Sequence, residues 1–176
     1  MSALLNKKIL IIIAPQGFQD KEYGDTRQVL EEQGAQIIVG SLKLGEALGN
    51  LGAKAKIDIL AEDANPDNFD AVAFIGGQGM VELVEKEEFT DLARRFYENN
   101  KLTAAICIAP MILAHAQILQ GKKATVWPEA KKNLIALGAN YTAKPVEVDG
   151  KIITANGPKA ASAFGKAIAK ILTSNS

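Results

Sequence analysis

Residues Lys8 to Ala14 read KILIIIA, and after the lysine no polar side chain marks a solvent face. A continuous apolar, β-branched run of this kind suits a strand covered on both faces, as strands are inside a parallel sheet. Parallel strands need crossover connections, so the constraint passes to the chain that follows. Pro15-Gln16-Gly17 breaks the run, helix formers extend from about Asp20 to Gln33, and Gly34 closes the segment as a C-cap. Gln36 to Ser41 is the next strand. The resulting β-α-β unit requires a right-handed crossover.

The same alternation continues. Asp70 to Ile75 (DAVAFI) is a buried strand that ends in Gly76-Gly77-Gln78-Gly79. A helix is expected from about Glu87 to Asn99, with Phe89, Leu92, Ala93 and Phe96 on one face. Leu102 to Cys107 is a strand, followed by an apolar helix to about Leu119. Between residues 42 and 69 the pattern is less regular. Lys54 to Leu60 alternates like an exposed strand, and Asn65-Pro66-Asp67 marks a turn, so a small antiparallel excursion is expected there. Toward the end, Lys123 to Trp127 reads as a short strand and Pro128 to Leu137 as a helix capped by Gly138. Val146–Val148 and Ile152–Thr154 flank a hairpin turn at Asp149-Gly150. Gly157-Pro158 opens a last helix to about Leu172, and only the final few residues look like a loose tail.

A chain of 176 residues supports one sizeable core and is short for two, so residues 1–176 are expected to form a single α/β domain. Twenty basic residues balance twenty acidic ones, which leaves no electrostatic footprint for nucleic acid or an anionic membrane. The apolar runs fall short of the roughly 18 residues of a membrane span, and the segment before Lys8 has no signal-peptide core. One cysteine cannot form an internal disulfide, which fits a reducing, cytoplasmic setting.

That cysteine sits where the chemistry of such a sheet belongs. In Ala105-Ile106-Cys107-Ile108-Ala109-Pro110 the thiol lies on a sharp turn between strand and helix. Alanines two residues to either side leave room for the turn, so A-x-C-x-A is a cysteine version of the nucleophile elbow. A thiol there is expected near a helix N-terminus, where the dipole favours thiolate; a buried structural cysteine is the alternative. Ligands bind beyond the carboxyl ends of parallel strands. Three features converge there: residues 15–22, the Gly76–Gly79 stretch and Cys107. The glycine stretch lacks a dinucleotide or phosphate-loop signature. It is either a tight turn or a source of amides that, with those after Cys107, form an oxyanion hole. The only histidine, His115, lies about 12 Å further along the predicted helix and cannot serve Cys107 as a base. The carboxylates after the first strand, Asp20, Glu22 and Asp25, are the remaining candidates to tune the thiol; solvated helix-start acids are the alternative for all three, and the preferred reading for Asp20 and Asp25.

These residues resemble the DJ-1/PfpI family, which holds PfpI-type intracellular proteases and deglycases of the class I glutamine amidotransferase-like superfamily. The resemblance rests on Ala104-Ala105-Ile106-Cys107 with Pro110, on Gly121 to Pro128, on Phe74-Ile75-Gly76-Gly77, on Gly157-Pro158, and on Glu22 twelve residues before Gly34. It implies a flavodoxin-like three-layer sandwich, a mostly parallel sheet with helices on both faces and a small β-hairpin excursion. It also implies that Cys107 is a nucleophile and that a protonated Glu22 donates a hydrogen bond to its thiolate. The amides of Gly77 and Ile108 are the implied oxyanion donors, and Gly76 and Trp127 are expected in the pocket. No metal or cofactor is implied, and a homodimer is. Where PfpI-type members carry histidine after the nucleophile, this chain has Ile108; where the deglycase branch carries one twenty residues later, it has Trp127. The implied activity is therefore glyoxalase- or deglycase-like chemistry on small aldehydes such as methylglyoxal, and not proteolysis. A redox sensor whose Cys107 takes up an oxidant is the alternative.

Overall fold

The computed structural model describes residues 2–174. In chain order its strands are β1 (Lys8–Ile12), β2 (Gln16–Phe18), β3 (Gln36–Ser41), β4 (Gly45–Gly49), β5 (Lys54–Ile57), β6 (Ile59–Leu60), β7 (Ala71–Phe74), β8 (Leu102–Ile106), β9 (Lys123–Ala124), β10 (Asn140–Tyr141), β11 (Val146–Asp149) and β12 (Ile152–Ala155). Its α-helices are α1 (Asp20–Glu32), α2 (Glu87–Glu98), α3 (Pro110–His115), α4 (Lys131–Ala136) and α5 (Ala161–Ser174). Seven strands form the central sheet in the order β11-β12-β8-β7-β1-β3-β6. Every neighbouring pair is parallel except the hairpin β11–β12 at the edge.

The run that opened the sequence shows why the sheet is sandwiched. Ile9, Ile11 and Ile13 point into one core with Leu30, Phe164 and Ile168 of α1 and α5. Leu10 and Ile12 point into the other, with Phe89 and Phe96 of α2 and Ile112 of α3. Side chains alternate across a strand, so a strand between two cores must be apolar at every position. The chain first builds outward from β1 to β3 and β6, then returns to the other side of β1 for β7, β8 and β12. This is the flavodoxin-like arrangement, and its switch point lies beside β1 and β7.

Five local expectations change. The segment Lys54 to Leu60 is two strands in two sheets. β5 pairs antiparallel with β4 in the small hairpin sheet, and β6 extends the central sheet beside β3. Their separation falls at Asp58, whose backbone and carboxylate both bond to Val39. Helix α3 ends at His115, not near Leu119. Gln117 takes a left-handed φ of 63° and closes a Schellman motif in which Ile118 N–H bonds to the Leu113 carbonyl and Gln117 N–H to that of Ala114. Only Lys123–Ala124 of the expected 123–127 strand pairs, with β10. The segment after Trp127 begins as a 3-10 turn, Pro128–Ala130, before α4. Helix α5 continues to Ser174, past the expected end near Leu172, and the rest of the expected loose tail, residues 175–176, lies outside the described residues. No described helix is long and apolar enough to cross a membrane.

Candidate functional site

The carboxyl ends of β1, β7 and β8 deliver three turns to one place. At the end of β8, Cys107 adopts φ 67°, a left-handed conformation that non-glycine residues seldom hold without support. Its N–H donates to the Ala155 carbonyl at 2.9 Å, and its carbonyl accepts from Trp127 N–H at 2.7 Å. With both backbone groups tied, the turn cannot relax by rotating. Ala105 and Ala109 are fully buried beside it, as the elbow pattern requires.

Glu22 comes from the first turn of α1 and is fully buried. Gln19 is the N-cap of that helix, and its side-chain oxygen accepts from Glu22 N–H at 2.8 Å. This fixes the backbone from which the carboxyl projects. Glu22 Oε2 accepts from Gly76 N–H at 2.9 Å. Oε1 is also buried and receives no hydrogen bond from nitrogen or oxygen, and the carboxyl lies within hydrogen-bonding reach of the Cys107 thiol. Burial pushes the carboxyl up to about 7, and the hydrogen bonds with Cys107 and Gly76 only partly oppose this.

Cys107 does not behave as a thiol simply lowered by a helix dipole. The following helix begins three residues later and is six residues long. Burial, and then the charge of an ionised Glu22, push the thiol up, while the amides of Ile108 and Gly77 hydrogen-bond toward the sulfur and pull it down. Both partners are therefore pushed toward their protonated, neutral forms, with the carboxyl ionising before the thiol.

The thiol opens at the floor of a cleft of about 580 Å³ whose lining includes Gln19, Asn50, Gly77, Ile108 and Trp127. Gly77, Ile108 and Trp127 stand together in this lining. Gly76 is not a wall residue. It is buried, donates its N–H to Glu22, and lies where a Cβ would meet both the Cys107 and the Glu22 side chains. The glycine stretch is a turn packed backbone to backbone, since a Cβ on Gly79 would stand 1.7 Å from the Gln16 carbonyl oxygen. His115 lies 3.6 Å from Glu85, on α3 and away from the cleft lining. Asp25 pairs with Lys21. Asp20 is not a merely solvated acid: its carboxylate accepts from Leu51 and Ala53 N–H, both at 2.8 Å, and so holds the hairpin turn that carries Asn50 into the cleft. Among the described residues, no group of three or more His, Cys, Asp or Glu side chains is placed to hold a metal ion.

Gln19, Asn50, Glu129 and Asn133 also line the cleft and were not anticipated. Only Gln19 carried a local signal, its spacing of three residues before Glu22 being that of an N-cap and N3 pair. The other three reach the cleft from loops and helices distant in sequence.

The profile of the DJ-1/PfpI family matches residues 7–171. Protein MJ0967 of Methanocaldococcus jannaschii is 40% identical over 173 residues, covering 97% of this chain and 84% of its own. Deglycase PYRAB04690 of Pyrococcus abyssi is 31% identical over 165 residues, covering 94% of this chain and 99% of its own. The crystal structure of a ThiJ/PfpI domain protein from Brachyspira murdochii matches with a TM-score of 0.94 at 34% identity, covering 96% of this chain and 98% of that one. With the elbow and the buried carboxyl behind it, this chain belongs to the DJ-1/PfpI family.

Proposed function

We propose that this protein is a cysteine-centred enzyme acting on small electrophiles, with methylglyoxal as the model substrate and Cys107 and Glu22 as its catalytic pair. The observation that carries the reading is a fully buried carboxyl, raised to about 7, beside a thiol at the floor of a cleft. A group that titrates near neutral pH gives and takes protons well at neutral pH. The Cys107 thiolate adds to the aldehyde carbon, and the carbonyl oxygen takes the proton from Glu22 as a hemithioacetal forms. Glu22, now carboxylate, removes the hydrogen from that carbon and returns a proton to the neighbouring one, giving a thioester. Water then hydrolyses the thioester, releasing lactate and the thiol. The Gly77 and Ile108 amides are the donors for charge on sulfur and oxygen. A relative bearing the name deglycase is compatible with the same thiolate chemistry on aldehyde adducts. Peptidase chemistry lacks an imidazole beside the thiol, because Ile108 and Trp127 stand at the family's histidine positions and His115 is not in the cleft lining.

The test is lactate formation from methylglyoxal by the wild-type chain and by Cys107→Ser. Turnover in the first and none in the second is expected; equal rates sink the proposal. The same two amides would also hold the oxygens of a sulfinic acid, so oxidation without turnover is the second reading. Wild-type protein that forms no lactate, but gains two oxygens at Cys107 in mild peroxide, selects it.

The dimer implied by the family resemblance belongs to this proposal. Leu44, Leu48 and Leu51, exposed on the hairpin around β4, are the surface to which it is assigned. Sedimentation velocity at micromolar concentration should give two chains per particle; a monomer removes this part of the proposal. A reducing cytoplasm is the compartment proposed for the free thiol.

A further inference from the structure

We infer that the cleft above Cys107 selects aldehydes that carry a cationic ammonium group and disfavours those that carry a carboxylate. This rests on reading Cys107 as the reacting centre. The first observation is size. A cleft of about 580 Å³ is on the scale of sites for drug-sized ligands, whereas a three-carbon aldehyde occupies only the floor. The remaining space must meet the part of the substrate beyond the reacting carbon.

The second observation is charge. Among the described residues lining the cleft there is no lysine, arginine or histidine, and the single carboxylate is Glu129. The other polar walls are neutral amides, such as Asn50 and Asn133. The pair at the floor adds one further negative charge when it has lost a proton. An anionic substrate therefore meets only like charge and no fixed cation, while a cationic one meets attraction at both ends.

The third observation is the indole. Trp127 is 40% exposed although its ring is held against the chain at Gly157, where a Cβ would stand 3.2 Å from ring atoms Cε3 and Cζ3. Its backbone N–H bonds to the Cys107 carbonyl, so the ring rises from a segment tied to the elbow itself. Pro128 opens the 3-10 turn that places Glu129, an exposed side chain, in the same cleft lining. An aromatic ring with a carboxylate two residues away is the combination that recognises quaternary and protonated amines, the ring through its quadrupole and the carboxylate through its charge.

Trp127 is the only tryptophan in the chain, so its fluorescence reads occupancy of this wall directly. Cys107→Ser protein, which cannot form the adduct, is titrated with tetramethylammonium chloride and, at matched ionic strength, with sodium acetate. A saturable change with the cation and none with acetate is expected, and Glu129→Gln should weaken cation binding about two- to fivefold, in the range of one exposed ion pair. In wild-type protein betaine aldehyde and glyoxylate, which can form the hemithioacetal but lack the neighbouring ketone needed for turnover, act as inhibitors of lactate formation from methylglyoxal. The ratio of the inhibition constant of glyoxylate to that of betaine aldehyde should exceed one, and Glu129→Gln should shrink it by a similar factor. Acetate binding as well as the cation, or a ratio that Glu129→Gln leaves unmoved, overturns the inference. The two proposals separate cleanly. Cation-selective fluorescence without aldehyde turnover removes the enzyme reading and leaves the ligand class standing. Turnover of methylglyoxal without cation selectivity does the reverse.

Discussion

Gly76→Ala is expected to silence Cys107 without altering either reactive side chain. A Cβ at this position would lie 2.6 Å from the Cys107 Cβ, 2.9 Å from Glu22 Oε2 and 3.0 Å from the Ile106 carbonyl oxygen. None of these neighbours can step aside. Cys107 is pinned by hydrogen bonds at both its N–H and its carbonyl, Ile106 is backbone of a central strand, and Glu22 is enclosed. The added methyl therefore drives thiol and carboxyl apart and draws the carboxyl from the Gly76 N–H, leaving a buried acceptor and a buried donor unpaired. Such a loss costs about 3 kcal/mol of stability. A displacement of about 1 Å at a reacting pair costs on the order of a hundredfold in rate. Iodoacetamide labelling of Cys107 at neutral pH, followed by intact mass, measures the second effect, and urea denaturation the first. Gly24→Ala is the matched control. It lies two residues from Glu22 on α1, where a Cβ meets nothing within 4 Å, and the exchange should stabilise the helix by up to about 1 kcal/mol. A folded Gly76→Ala protein that labels as fast as wild type would show that the contact between the two side chains does not govern the thiol.

Gly76 also shows where legibility in the sequence ends. That it closes a buried strand was plain from DAVAFI followed by glycines; that it separates Cys107 from Glu22 was not, because the separation is made by three strands meeting side by side. The layered fold was readable because strands covered on both faces are apolar nearly throughout, as β1 is after Lys8, β7 is, and β8 is apart from Thr103. Two of the Schellman caps make the contrast local. The helix α1 cap was visible because Gly34 fills the left-handed position, whereas the α3 cap uses Gln117, whose side chain carries no such signal, and the helix was drawn four residues too long. In the site, the elbow was legible from A-x-C-x-A alone, while Glu22 became more than one acid among three only through the family spacing to Gly34. The chemistry of the pair was half legible. A helix N-terminus suggested a lowered thiol, but burial of both partners raises each of them, and burial is a property of the packed sheet and not of any local motif. Asn50, Glu129 and Asn133 meet across the cleft from segments about 80 residues apart, a distance over which pattern and propensity carry no information.

That burial should be measurable as a dependence of stability on pH. In the unfolded chain the Glu22 carboxyl titrates near 4.5, and in the native protein near 7. Between these values the native state holds a proton that the unfolded state has released. The stabilisation linked to Glu22 is therefore fully present below about pH 4.5 and is lost as pH rises through 7. The loss amounts to about 3 kcal/mol, from 1.36 kcal/mol per pKa unit. It does not matter which of the two side chains carries the retained proton, because linkage counts protons and not their owners. Since Cys107 is also pushed above its ordinary 9.0, a second decline should begin near pH 9, where the unfolded thiol ionises first. Urea midpoints at pH 5 and pH 8 should show the first loss in wild type and its absence in Glu22→Gln. Glutamine is the neutral isostere: its oxygen can accept from Gly76 N–H and its amide hydrogens can point at sulfur. The same substitution removes the anion that raises the thiol, so Cys107 should be alkylated at lower pH than in wild type. Glutamine cannot relay a proton, however, and turnover should fall by about a hundredfold or more. A variant that is more stable at pH 8, labels readily and no longer turns over would separate the two tasks of Glu22, holding the thiolate and moving the proton. A wild-type stability that is flat between pH 5 and pH 8, or a glutamine variant with the wild-type slope, would mean that folding takes up no proton at Glu22 in this range and that burial does not raise its carboxyl.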